Sequence, residues 1–252
     1  MKGTETIFGL HAVRVMLERH PERVHSVRIA EQRGDPRVRA IDELAKRHHR
    51  TVERVDAQTL RQQLGDVAHQ GVAADVTPLP PWSEDELLAA LEGARAPLLL
   101  ALDGVQDPHN LGACLRSADA CGAIAVIVPR DRAAQLTPGA RKVAVGAAET
   151  TPVVSVTNLV RTLKLLKEAG LWVVGAEASA EKRAHEVNLT GPVVLALGAE
   201  GTGLRHLTRQ NCDFLVRLPQ LGAVESLNVS VAAGMLLYEA VRQRLAKQGI
   251  DR

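Results

Sequence analysis

Apolar residues fall into two alternating patterns along the chain, and its first third shows both. Leu10, Val13 and Leu17 recur at helical spacing, Val24 to Ile29 reads as a strand, and Val38, Ile41, Leu44 and Ala45 mark a second helix. Thr51 to Val55 and Gly71 to Val76 read as further strands, so residues 1–76 are expected to form a small α/β domain. Thr77-Pro-Leu-Pro-Pro81 interrupts the alternation, because prolines at this density exclude a helix interior or a central strand and stiffen the chain. Ser83 followed by Glu86 is a capping box that opens a short helix through Leu91, giving a Pro-rich linker and helix over 77–96.

From Pro97 the strands change character. Pro97 to Leu102 is a continuous apolar run of the kind found in a buried parallel strand, and similar runs recur at 123–128, 153–156, 171–175, 193–197 and 214–218. Helical patterns lie between them at 111–121, 138–148, 159–169 and 204–210. A last one starts at Val229, with Ala232, Ala233, Leu236, Leu237, Ala240 and Val241 on one face. Residues 97–252 are therefore expected to form an α/β sheet covered on both faces, with ligands held beyond the carboxyl ends of its strands.

Three polar loops fall at such ends. Asp103 to Ala118 leaves the first strand, turns at Asp107-Pro108 and enters a helix for which Asn110 is a candidate N-cap. Arg116, further along that helix among Ala, Cys and Leu, needs a partner: either a structural ion pair or a phosphate or substrate to clamp. The second loop, Gly198-Ala-Glu-Gly-Thr-Gly203, lets a ligand approach the backbone, but it is neither a dinucleotide fingerprint nor a phosphate loop ending in Gly-Lys-Ser. Glu200 within it would repel phosphates, or else cap a helix starting near Thr202. The third loop, Gly222 to Asn228, carries Glu225, Ser226 and Asn228 at the mouth of the last helix, where Ser226 and Asn228 could serve only as caps.

Composition narrows the classes. Charged residues are 24% and hydrophobic ones 46% of 252, ordinary for a globular protein, and no run suggests a membrane span or a signal peptide, so a cytoplasmic location is expected. Net charge is +2, which permits a nucleic-acid partner without announcing one. Aromatic residues are only 2%, so any RNA would be held through Arg, Lys, His and backbone groups rather than by stacking. Arg37, Lys46 and Arg50 are candidates for such salt-sensitive contacts. Cys114, Cys121 and Cys212 lack metal-ligand spacing and no histidines pair for a metal, so none is expected.

Asp107-Pro-His-Asn-Leu-Gly112 with Arg116, then Gly198 to Gly203, then Glu225-Ser-Leu-Asn-Val-Ser230, resemble the three ordered motifs of the SpoU/TrmH branch of the SPOUT RNA methyltransferases. Ile7 to Val13 and His69 to Ala73 resemble the substrate-binding domain that precedes the catalytic domain in that branch. The run Leu102 to Asp119 is most similar to the bacterial enzymes that methylate the ribose 2′-oxygen of a guanosine in 23S rRNA, in the peptidyl-transferase region. Sister enzymes acting on tRNA share the motifs, and a knotted RNA-binding protein without activity is the reading from another class. The resemblance implies a deep trefoil knot in the C-terminal α/β domain, S-adenosylmethionine as cofactor and a homodimer. It also implies Gly198, Leu218 and Leu227 at the cofactor and Asn110, Arg116, Glu200, Ser226 and Asn228 in catalysis or substrate placement. It leaves open whether naked rRNA or a ribosome assembly intermediate is the substrate.

Overall fold

The computed structural model describes residues 3–31, 35–65, 69–223 and 226–249. The chain divides into two compact units, residues 1–80 with 145–150, and residues 81–144 with 151–252.

The first unit contains β1 (Glu5–Phe8), α1 (Leu10–Arg19), β2 (Val24–Ala30), α2 (Pro36–Arg47), β3 (Thr51–Val55), α3 (Ala57–Leu64) and β4 (Val72–Val76). Its sheet runs β1-β4-β2-β3, antiparallel except for the β2–β3 pair. Alternate residues of the strands, Val27 and Ile29 among them, join Val13, Met16 and Leu17 of α1 and Val38 and Ile41 of α2 in one core. The opposite face meets α3 through Leu60, Ala30 and Ala73. Each of α2 and α3 begins at an aspartate: Asp35 accepts a hydrogen bond from Arg37 N, and Asp56 from Gln58 N.

The basic cluster of this unit is largely engaged. Arg37 Nη2 lies 2.9 Å from Asp35 and Lys46 Nζ 3.2 Å from Asp42, while Arg50 donates to the backbone oxygens of His48 and Val24. Arg37 and Lys46 stay exposed in these surface pairs, which are weak enough to leave both cations open to a polyanion.

The second unit opens with α4 (Glu84–Leu91), then β5 (Leu98–Asp103), α5 (Pro108–Ala120), β6 (Ala125–Pro129), α6 (Pro138–Ala144), β7 (Val153–Val156), α7 (Leu159–Glu168), β8 (Trp172–Ala176), β9 (Lys182–Arg183), β10 (Val193–Gly198), α8 (His206–Gln210), β11 (Phe214–Arg217) and α9 (Val229–Lys247). The seven strands are all parallel, in the order β7-β6-β5-β10-β8-β11-β9. Every residue of β5 is buried, which explains its unbroken apolar run up to Asp103.

Helix α4 starts at the Ser83–Glu86 capping box. It packs into this unit, with Leu87 fully buried among Leu99, Ala101 and Val154 and Glu84 Oε2 2.6 Å from Arg161. Leu87→Ala should therefore cost the second unit about 2–5 kcal/mol. Urea denaturation of the full-length chain checks this; a change below about 0.5 kcal/mol would mean that α4 is an ornament on the linker.

Candidate active site

The mouth of the site is built by two helix starts. Helix α5 begins at Asp107, whose side chain accepts from His109 N at 2.8 Å, with Pro108 at the first helical position. That hydrogen bond holds the Asp107 carboxyl below its ordinary range. Asn110 is thus not the cap expected from the sequence; it sits inside the first turn with its side chain free for another use. Helix α9 begins at Asn228, whose Oδ1 accepts from Ser230 N at 2.9 Å and from Ser230 Oγ at 2.6 Å. Ser226 is therefore not the cap either, and it stands exposed before the helix. Asn228 Nδ2 donates to Asn110 Oδ1 at 3.0 Å, so one bond joins two loops that are 118 residues apart.

Below this mouth the two helices run side by side, Gly234 of α9 facing Ser117 of α5. Arg116, one turn and a half beyond Asn110, is exposed and makes no ion pair among the described residues, so the structural ion pair considered for it is not found. The Asn110–Asn228 bond makes a separable prediction. Asn228→Asp keeps the cap oxygen but loses the amide donor, whereas Asn228→Ala loses both. The alanine variant should cost about 1 kcal/mol of stability and the aspartate variant much less, while both lose the activity of the site. Thermal melts beside initial rates check it, and an aspartate variant with full activity would remove the bond from the site.

Next to the mouth lies a cavity of about 280 Å³ at the carboxyl ends of β8, β10 and β11. Gly198, Leu218 and Leu227 line it, as do Glu200 and Ser226. The structure thus gathers five of the eight predicted residues in one cavity and joins Asn110 and Asn228 beside it; Arg116 lies outside the lining. Glu225 lies outside the described residues.

The Gly-rich loop folds back at once after β10, with Gly203 N donating to Ala199 O at 2.9 Å and positive φ at Gly201 and Gly203. No helix starts at Thr202, so Glu200 is not a helix cap; α8 begins only at His206. A Cβ on Gly198 would fall 1.8 Å from Gly203 C, so the strand end and the returning loop touch backbone to backbone. Asp103, at the end of the neighbouring β5, anchors that return by accepting from Arg205 N at 2.9 Å.

The lining has a definite chemistry. Leu197, Leu218, Leu227, Val229 and Ala232 form apolar walls, and the ionisable side chains among the lining residues are Glu177 and Glu200. Glu177, at the end of β8, is a residue the motifs did not point to; the rule that ligands lie beyond strand ends could have found it. Glu177 is paired with Arg209, Nε 3.7 Å away, so Glu200 is the lining carboxylate without an ion pair among the described residues. With no cation in the lining, the cavity disfavours a polyphosphate and tolerates a ligand that carries positive charge. The thiols offer no nucleophile here: burial pushes Cys114 up to about 12, and burial followed by Asp213 does the same to Cys212. No group of three metal-ligating side chains occurs among the described residues.

A parallel sheet with its cavity at the strand ends, flanked by three polar loops, is the arrangement of a ligand-binding α/β enzyme. The match is direct: residues 97–238 fit the SpoU rRNA methylase family and residues 6–82 the RNA 2′-O-ribose methyltransferase substrate-binding family, and the chain belongs to the SpoU methyltransferases. The 23S rRNA (guanosine-2′-O-)-methyltransferase RlmB of Pseudomonas syringae pv. tomato is 54% identical over 98% of this chain and 99% of its own. The protein of that name from Pseudomonas aeruginosa is 53% identical over 97% and 98%. Among solved structures, the SpoU methyltransferase AviRb from Streptomyces viridochromogenes, in complex with AdoMet, superimposes with a TM-score of 0.78 at 25% identity, covering 97% of this chain and 92% of that one. The A. aeolicus TrmH/SpoU tRNA-modifying enzyme covers only 66% of this chain, with a TM-score of 0.53 at 29% identity and 84% of its own length covered.

Proposed function

We propose that this protein methylates the ribose 2′-oxygen of a guanosine in 23S rRNA, with S-adenosylmethionine as methyl donor, in the cytoplasm. The observation that carries the reading is the cavity beyond β8, β10 and β11, whose apolar walls suit an adenine ring and whose Glu200 suits a sulfonium. Full-length similarity to enzymes named for this reaction supports the substrate. The cofactor supplies an electrophilic methyl group. The chain must then align the 2′-hydroxyl with it and help a proton to leave.

In this reading Gly198, Leu218 and Leu227 hold the adenosine, and Glu200 and Ser226 stand where the two substrates meet. Asn110 and Asn228, locked to each other, place the acceptor ribose. Arg116 binds an adjacent phosphate and orients the sugar, since a guanidinium does not readily give up its proton to act as base. The first unit grips the RNA and the second carries the chemistry. The direct backbone contact at Gly198 and the return of α9 to the start of α5 suit a chain threaded as a trefoil knot.

The reading includes a homodimer, for which α9 offers a surface. The apolar face read from the sequence is spent within the chain: Val229, Ala233, Leu236, Leu237 and Ala240 are buried. A different side is open, with Val231, Met235 and Tyr238 exposed by 50%, 45% and 65% at helical spacing. Tyr238→Glu should shift the sedimentation of a dimer toward the monomer; a chain that sediments as a monomer before any substitution would discard the dimer.

The deciding experiment is methyl transfer from labelled S-adenosylmethionine to unmodified 23S rRNA and, separately, to bulk tRNA, with the product nucleotide identified by mass. A 2′-O-methylguanosine in 23S rRNA alone is expected. Methylation of tRNA alone would overturn the substrate, and no transfer together with no cofactor binding would overturn the enzyme.

A further inference from the structure

A second cavity, of about 510 Å³, opens at the carboxyl ends of β5, β6 and β7, beside the site already described. Its size falls within the roughly 300–1,000 Å³ of small-molecule pockets. Four features give it a chemistry. The exposed Arg132, held at a φ of 54°, makes no ion pair among the described residues. The first turn of α7 contributes Asn158 and Leu159, so a helix N-terminus with its unpaired N–H groups faces the space. Arg205 and His206 stand exposed on another wall, next to Leu207, which is 61% exposed.

The fourth feature is Asp103. Its carboxylate is 1% exposed, one oxygen accepts from Arg205 N, and the other, Oδ1, has no hydrogen-bond partner. The nearest cation, Arg205 Nε, is 3.6 Å from Oδ1, and the Arg205 side chain is itself half exposed. A buried carboxylate oxygen left without a donor is costly, and the arginine that covers it is free to turn outward.

We infer that this cavity receives one nucleotide of the RNA next to the methylated ribose, its base N–H donating to Asp103 Oδ1 and its phosphate lying over Arg132, Arg205 and the start of α7. The inference rests on the proposed reaction and extends it to substrate recognition. Acid and base are placed as a nucleotide needs them. A phosphate alone would not choose a cavity floored by a carboxylate, and a cation alone would not choose a rim on which Arg132, Arg205 and a helix N-terminus outnumber the one acidic residue, exposed Asp131. A base with an imino or amino N–H satisfies the floor while its phosphate satisfies the rim. Asp103 is the last residue of β5, and the chain runs on from it through Gly104 into the loop that leads to α5 and Asn110, so the same strand end places both sites. Exposed Leu207 gives the base an apolar edge to lie against.

The test uses the full-length enzyme and an unmodified 23S rRNA transcript. Arg132→Glu should raise KM for the transcript about tenfold, with kcat at saturating RNA within twofold and S-adenosylmethionine affinity unchanged, and should flatten the salt dependence by about one counterion. Asp103→Asn keeps one acceptor for Arg205 N but turns a donor toward the base, and should raise KM as well. Ultraviolet cross-linking of the wild-type complex should mark residues 157–160 or 205–208. An unchanged KM in Arg132→Glu, with cross-links only elsewhere, would overturn the inference while leaving the reaction intact. A wild-type enzyme that binds S-adenosylmethionine yet transfers no methyl to rRNA would overturn the proposed substrate and this inference with it.

Discussion

Gly198→Ala is expected to raise the dissociation constant for S-adenosylmethionine at least about a hundredfold, equivalent to about 2.7 kcal/mol. The reason is steric and local. The added methyl would lie 1.8 Å from the carbonyl carbon of Gly203, 1.9 Å from its oxygen and 2.2 Å from Leu204 N, all backbone atoms that cannot rotate away. The loop from Ala199 to Gly203 must lift off the strand end, taking with it the cavity wall that includes Glu200. Stability should fall too, by about 1–3 kcal/mol, as overpacking usually costs.

Two controls separate crowding from backbone conformation. Gly201 has open space around it but a φ of 78°, so Gly201→Ala strains the turn without any collision. Gly191, with open space and no such φ, should accept alanine silently. Isothermal titration of the folded variants decides the matter, and a Gly198→Ala protein that binds within threefold of wild type would show that this loop is not the cofactor wall.

The second large effect is expected at Arg116. Arg116→Ala should lower kcat by about a hundredfold or more, the scale seen when a group that positions or neutralises reacting charge is removed, with little change in melting temperature. The absence of a salt bridge among the described residues is what separates rate from stability here, since no buried partner is orphaned by the change. Lysine should not replace it, because a point charge cannot make the paired, planar contact of a guanidinium with phosphate. The pH–rate profile then distinguishes roles. An orienting arginine leaves the shape of the profile alone in the alanine variant. Near-full activity in Arg116→Lys, or a large loss restored merely by raising pH, would end the orienting account.

Much of this architecture is legible in the hydrophobic pattern because buried parallel strands leave little room for ambiguity. The pattern alone yields β7 at Val153–Val156 and the other strands from β2 onward, β9 apart, within two residues of their ends, but it misses β1 at Glu5–Phe8. Segments that do not rest on apolar burial escape it. Helix α3 buries only Leu60, and β9 is two exposed residues added to the edge of the sheet. The far half of α9 is held by polar ties: Arg244 donates to the oxygens of Leu189 and Gly191, and Gln243 to that of Val187. A reading of hydrophobic spacing stops short of such an end.

The site divides in the same way. The residues that the resemblance implies include five that line one cavity, Gly198, Glu200, Leu218, Ser226 and Leu227, while of the cap candidates Asn110, Ser226 and Asn228 only Asn228 caps a helix. Asp107 and Asn228 both accept from an N–H two residues on, so each takes the capping role and leaves Asn110 and Ser226 for other work. Local propensity ranks Asp, Asn and Ser too closely to decide which of two neighbours caps, and the path of the loop settles it.

The place of β10 also governs when the protein can begin to work. It pairs with β5 on one side and β8 on the other, and the sheet has no other link between its β7-β6-β5 and β8-β11-β9 halves. During synthesis β5 leaves the ribosome on the order of ten seconds before the strand that must slot in beside it. Until then β7-β6-β5 stands with an open edge at β5, while β8 and β9 have no partner strand, because β11, which lies between them, is made after β10. Gly198 closes that strand and α9 follows last of all, so a nascent chain passes most of its synthesis without a formed cavity. The cavity therefore closes only when β11 and the start of α9 have joined β10, so an incomplete chain has no formed site.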